Sequence, residues 1–200
     1  MIYGFIGDCG SGKTMLMTIL AHQKQADKQK VFSNYKLSFP FERLTSKFFN
    51  NYKDFPIFNA VVLFDELSLY YSSRRSMSKH NQKLKPFILQ TRKRSLELYY
   101  TAQQFSLVDV NIRDNTDGLY YPSITVARKI KNKTFIFQKS EKYIFQDGDI
   151  LYLYYEYYKY SGGCLRLVHK KRILINPFFG LYNTNEILDF EEDEENVKKK

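Results

Sequence analysis

The 200-residue chain carries 31 Lys and Arg against 21 Asp and Glu, a formal charge of +10, with 17 Tyr, 17 Phe and no Trp. At that length it forms one domain, or one domain with an elaboration, and can bury a substantial core. No apolar run approaches the roughly 18 residues of a membrane span, and two cysteines, Cys9 and Cys164, leave no disulfide framework and no metal-ligand spacing. The first residues run straight into a strand-like segment rather than a signal peptide, so a soluble protein acting in a reducing, intracellular compartment is expected. The charge is uneven. Asp189 and Glu191 to Glu195 concentrate six acidic residues before Lys198, Lys199 and Lys200, so residues 1–188 hold 28 basic and 15 acidic side chains, a body of about +13. Such a body attracts a polyanion, nucleic acid above all, although a generally basic soluble surface has the same composition. The segment 189–200 reads as a disordered, solvated tail.

Ile2 to Ile6 is a short apolar run that predicts a strand. Gly7-Asp8-Cys9-Gly10-Ser11-Gly12-Lys13-Thr14 follows, a complete G-x-x-x-x-G-K-[ST] loop, and Met15 to Gln25 has helical spacing. Strand, glycine loop and helix start together turn backbone N–H groups and the helix dipole toward one point, a site for polyphosphate. In this pattern Lys13 reaches the β- and γ-phosphates and the Thr14 hydroxyl can bind Mg²⁺. The chain is therefore expected to bind a nucleoside triphosphate with Mg²⁺.

Residues 31–35 predict a second strand, and 40–51 a helix or irregular connection. Residues 60–66, Ala-Val-Val-Leu-Phe-Asp-Glu, read as a buried parallel strand with two carboxylates at its carboxyl end. In that position Asp65 can hold Mg²⁺ through water and Glu66 can polarise a water for attack on the γ-phosphate. A helix N-cap is the alternative use of the pair. Residues 68–81 are polar, 84–94 predict a helix, and 96–103 another strand, ending in Gln103. That amide either contacts the γ-phosphate or its attacking water, or is a buried group capping a turn. Beyond Asp117-Gly118 the character changes: segments near 119–130, 133–139, 142–146, 150–160 and 164–175 read as sequential antiparallel hairpins. The expected architecture is an α/β, RecA-like P-loop core over 1–117, with a mainly parallel sheet flanked by helices. A β-rich antiparallel extension of the same domain follows over 118–188.

The order of phosphate loop, Asp-Glu strand, Arg-rich segment and Gln-ended strand resembles the FtsK/HerA superfamily of P-loop ATPases. More narrowly it is similar to the genome-packaging ATPases of membrane-containing double-stranded DNA viruses, including archaeal turreted icosahedral viruses, and to the Zot-like proteins of filamentous phages. The residues carrying this are Gln90-Thr91-Arg92-Lys93-Arg94, Thr101-Ala102-Gln103 and Val108-Asp109-Val110-Asn111-Ile112-Arg113, with Asn176 to Glu186 resembling the end of such a domain. The resemblance covers residues 1–117 well and the remainder loosely. It implies a homo-oligomeric ring, a hexamer or pentamer, that hydrolyses ATP between subunits and drives double-stranded DNA into a capsid. Its partners would be capsid-vertex or internal membrane proteins, in the host cytoplasm or with the virion.

On that model an arginine enters the neighbouring subunit's site. Arg92 and Arg94 are the first candidates, with Arg74, Arg75 and Arg113 also open, and DNA contact or solvation is the plainer role for each. Arg74, Arg75, Lys79, His80, Lys83 and Lys85 form a basic stretch suited to DNA-backbone contacts, and Lys129 to Lys142 is a second one. Tyrosines 152, 154, 155, 157, 158 and 160 suit packing better than base stacking. Zot-like proteins commonly carry a membrane span after the ATPase domain, and the lack of one here favours packaging over extrusion. Two other readings are a Zot-like assembly or secretion ATPase acting on single-stranded DNA or protein, and a nucleotide-binding switch. A small-molecule kinase is disfavoured, since no lid or acceptor-site pattern stands out.

Overall fold

The computed structural model describes residues 1–44, 57–67, 86–130, 133–138 and 149–183. Among the described residues, nine strands form one mixed sheet: β1 (Ile2–Ile6), β2 (Lys30–Ser33), β3 (Glu42–Arg43), β4 (Ala60–Phe64), β5 (Glu97–Ala102), β6 (Gly118–Ile130), β7 (Lys133–Gln138), β8 (Ile150–Ser161) and β9 (Cys164–Leu174). Their order is β3-β2-β4-β5-β1-β6-β8-β9, with β7 paired to β6. From β3 to β6 the pairings are parallel, and β6 then pairs antiparallel with both β7 and β8, as β8 does with β9. The mainly parallel RecA-like sheet and the antiparallel extension are thus halves of a single sheet, joined at β6.

Burial explains why the two halves read differently in the sequence. All five residues of β4 and all six of β5 are buried. A strand covered on both faces has no reason to alternate, so β4 is a continuous apolar run. One face packs on helix α1 (Lys13–Ala26) through Phe5, Val61, Leu63 and Tyr99, and this core continues under the extension through Ile124, Val126, Leu151, Leu153 and Tyr155. The opposite core contains Ile2, Val62, Phe64, Leu98, Tyr100 and Leu119, closed by Phe87, Val108 and Ile112. Ile112 belongs to a short helix, α2 (Val110–Asp114).

Several expected elements are shorter than their sequence windows. Of the helix expected over 84–94, residues 86–90 are helical and 91–95 form turns, ending at Ser95 with φ 52°. Within 40–51, β3 is a two-residue parallel strand beside β2, and 45–51 lie outside the described residues, as do 142–146 and 189–200.

Candidate nucleotide-binding site

β1, β5 and β4 lie side by side and parallel, with Ile6 opposite Ala102 and Phe64 opposite Tyr100. Their carboxyl ends therefore open on one edge of the sheet. The phosphate loop leaves β1 there, Gln103 follows β5, and Asp65-Glu66 follows β4. The loop path needs glycine at Gly12, whose φ is +95° and whose Cβ, were there one, would lie 2.6 Å from Leu153 Cδ1. No side chain caps the start of α1, so its first-turn N–H groups stay available to an anion. Ser11 Oγ is buried with no hydrogen-bond partner among the described residues. An orphaned hydroxyl in such a loop fits a polar ligand. Lys13 is 6% exposed, and its ammonium donates to the carbonyls of Gly7 (3.0 Å) and Asp8 (2.9 Å) at the loop's mouth.

Asp65 is the hub. Its Oδ1 accepts from Thr14 Oγ1 at 2.9 Å and from Thr101 Oγ1 at 2.7 Å. Asn34, just past β2, brackets its backbone: Asp65 N donates to Asn34 Oδ1 (2.8 Å) and Asn34 Nδ2 donates to Asp65 O (3.0 Å). The Thr101 hydroxyl also accepts from Glu66 N at 2.8 Å, so one threonine orients both acidic residues. Glu66 has φ 50°, a left-handed conformation that costs a non-glycine residue on the order of 1–3 kcal/mol and recurs at functional sites. Burial pushes both carboxyls above their ordinary range. At Asp65 the Thr101 and Thr14 hydrogen bonds oppose it; at Glu66 the Lys13 charge opposes it and Asp65 adds to it.

Gly7 to Thr14, Asp65, Glu66 and Gln103 share this edge. Gln103 is exposed next to Ala102, whose carbonyl accepts from Gly7 N at 3.4 Å, so it is not the buried turn cap its sequence also allowed. Arg92 and Arg94 lie elsewhere, before β5 at the amino edge of the sheet. The strand between them and the site is about 17 Å long at 3.3 Å per residue, which rules out action on their own subunit's phosphates. Arg92 pairs with Asp117 at 2.7 Å, and the Arg94 guanidinium lies 5.9 Å from the Phe58 ring centroid. Arg74, Arg75, Lys79, His80, Lys83 and Lys85 lie outside the described residues. Asp109, prominent in the family-like stretch, caps α2 by accepting from Asn111 N at 2.9 Å, while Ile112 is core.

Sequence reasoning missed Asn34, Tyr182 and the role of Thr101. Tyr182 stacks edge-on against Tyr35 with centroids 6.0 Å apart; burial, with a smaller contribution from Asp65, pushes its hydroxyl up to about 12. Asn34 had one legible signal, a two-way hydrogen-bonding amide at a predicted strand's carboxyl end.

The fold and loop are those of a RecA-like P-loop NTPase. No family model matches the chain. Two curated relatives, each called uncharacterized protein ORF2, come from Spiroplasma virus SpV1-C74 and Spiroplasma virus SpV1-R8A2 B. Each is 30% identical over 141 residues, 66% of this chain and 41% of theirs. The chain thus spans about two fifths of the length of these relatives. Among solved structures, the N-terminal domain of zonular occludens toxin from Neisseria meningitidis superposes with a TM-score of 0.56 at 18% identity, covering 91% of this chain and 98% of that one. The genome packaging NTPase of Sulfolobus turreted icosahedral virus 2, in complex with ATP-gammaS, superposes with a TM-score of 0.52 at 11% identity, covering 84% and 96%. Both groups that the sequence resembles therefore share this fold.

Proposed function

We propose that the chain hydrolyses ATP and couples hydrolysis to movement of viral DNA. The observation that supports the hydrolysis is the convergence of Thr14, Thr101 and Asp65 within hydrogen-bond distance beside the phosphate loop, with Glu66 next in the chain; the coupling to DNA rests on the resemblance to packaging and Zot-like ATPases. A hydroxyl and a carboxylate meeting at 2.9 Å are the hard oxygen pair that fits Mg²⁺, which takes one or two protein oxygens and completes its shell with phosphate and water. Thr14 and Asp65 would hold it, and it would supply positive charge against the phosphates. The loop N–H groups and Lys13 bind the phosphates. Glu66, made more basic by burial, accepts a proton from the attacking water, and Gln103 orients that water or the γ-phosphate from the adjoining strand end. Arg92 or Arg94 would act on a site in another subunit of a homo-oligomeric ring, hexameric or pentameric.

Two biological settings follow. Packaging of double-stranded DNA into a capsid is what the resemblance to packaging ATPases gives, with capsid-vertex or internal membrane proteins as partners. A Zot-like role in moving single-stranded DNA or protein is favoured by the fuller superposition on the zonular occludens toxin domain. No helix of the described residues is long and apolar enough to cross a membrane. With relatives more than twice as long as the matched stretch, that no longer discriminates between the two. Steady-state ATP hydrolysis with and without DNA, at low and moderate salt and with Glu66→Gln as the blank, tests the proposal. Salt-sensitive stimulation absent from the mutant supports it; tight ATP binding without turnover points to a switch instead. Lys13→Ala is expected to weaken both binding and turnover.

A further inference from the structure

We propose that the face of β6, β8 and β9 turned away from α1 is a stacking platform for single-stranded nucleic acid. Its setting rests on the reading of the chain as a DNA-handling NTPase; its chemistry rests on this face alone. The register places Tyr121 beside Glu156, Ser123 beside Tyr154 and Thr125 beside Tyr152, with Arg172 opposite Tyr154 and Lys170 opposite Glu156. Leu151, Leu153 and Tyr155 point the other way, into the α1-side core. Strand alternation therefore turns Tyr152, Tyr154, Tyr158 and Tyr160 onto the opposite face, where each is only half-buried. Packing in the α1-side core accounts for Leu151, Leu153 and Tyr155 of β8 and gives no such role to Tyr152 and Tyr154.

The face is organised. Tyr158 and Tyr154 both donate to Glu156, at 2.6 and 3.2 Å, and the Lys170 ammonium lies 2.5 Å from the same carboxylate. Those bonds fix the rings and neutralise Glu156, the one acidic side chain of residues 150–174, and leave Arg172 as the cation that the register sets on this face, whereas Lys159, Arg166 and Lys171 fall on the other. Tyr160 packs edge-on against Phe105 and Tyr158 against Tyr121. Arg172 lies over the Tyr152 ring, 4.8 Å from its centroid, a cation–π pair that holds a guanidinium on the aromatic surface where a phosphate can meet it. Rings two residues apart are about 6.8 Å apart along the strand, room for a separate base on each. Unpaired bases offer their faces to such a surface, whereas a duplex hides them in its own stack. A second copy of the chain is the poorer occupant, because a self-complementary contact would set like-charged β9 strands against each other.

The test is fluorescence anisotropy of labelled oligothymidylate, of an abasic strand of equal length and of a duplex, on the full chain without nucleotide. Tyrosine emission gives a second readout, since the chain has no Trp. The wild type is expected to bind oligothymidylate more tightly than the abasic strand or the duplex. Tyr152→Ser and Tyr154→Ser should each weaken oligothymidylate binding at least about fivefold while leaving the abasic strand unaffected. Tyr154→Phe should keep affinity, and Arg172→Ala should lower the salt slope by about 0.7. Equal affinity for oligothymidylate and the abasic strand overturns the proposal, as does tighter binding of the duplex. So does loss of an oligomer by light scattering in Tyr154→Ser with DNA affinity unchanged. Thermal melting guards against unfolding, and basal ATP hydrolysis separates the two readings: an inactive wild type that still discriminates bases sinks the ATPase and leaves the platform standing.

Discussion

β4 and β9 mark the two extremes of one sheet. Every residue of β4 is buried, whereas nine of the eleven in β9 are exposed. On the β4 side both faces are covered, the strands are parallel, and the proposed chemistry lies at the carboxyl edge, where Asp65, Glu66, Gln103 and the phosphate loop meet. On the β9 side only one face of β8 is covered, at Leu151, Leu153 and Tyr155, and β9 itself is largely exposed on both faces. The difference shows how one sheet separates chemistry from contact: burial supplies rigidity and raised carboxyl basicity where phosphoryl transfer is proposed, and exposure supplies surface where a polymer can lie. The halves are nonetheless mechanically joined, because Leu153 of β8 packs directly against Gly12 of the loop.

The largest expected effect falls on the buried half. Glu66→Gln should lower ATP turnover by about 10²–10⁴-fold with nucleotide binding retained, read by comparing steady-state rates with equilibrium binding. Equal rates would remove the proton-accepting role. Leu153→Ala probes the join: losing a fully buried leucine should cost about 2–5 kcal/mol in denaturant unfolding and weaken ATP binding as well. Unchanged ATP affinity would show the extension to be a passenger of the core. Thr101→Val keeps the volume and removes the hydroxyl that Asp65 and Glu66 share, so a loss of about 1–3 kcal/mol and a higher Mg²⁺ requirement are expected. A variant of wild-type stability would mean that Asn34 and Thr14 suffice. Smallest is Arg92→Ala, whose pair with Asp117 is mostly solvent-exposed and should contribute about 0–1 kcal/mol to stability. Lost ATPase that returns on mixing with Glu66→Gln subunits would assign it a role across a subunit boundary, and no rescue would leave that role unsupported.

The phosphate loop was fully legible because its chemistry is local: eight consecutive residues dictate the turn, the helix start and the lysine. The buried strand with Asp65-Glu66 was legible for a related reason, since an unbroken apolar run ending in carboxylates has few other uses. The extension's hairpins could be read from alternation and from turn glycines at 162 and 163, both with positive φ. Three things could not be read this way. Asn34 and Thr101 gather on Asp65 from 31 and 36 residues away, and no local pattern encodes such a meeting, whereas that of Thr14, 51 residues away, was implied by the Mg²⁺ expected between the two. Arg92 and Arg94 precede the Gln103 strand in sequence, but a parallel strand carries its two ends to opposite edges, which separates them from their own chain's phosphate loop. The tyrosines of β8 read together as packing, and only the path of α1 decided that Tyr155 became core while Tyr152 and Tyr154 stayed half-buried. Short-range chemistry and periodicity thus belonged to the sequence by itself. Which distant groups share an atom, and which face meets solvent, was decided by tertiary structure, because both depend on how strands far apart in the chain lie together.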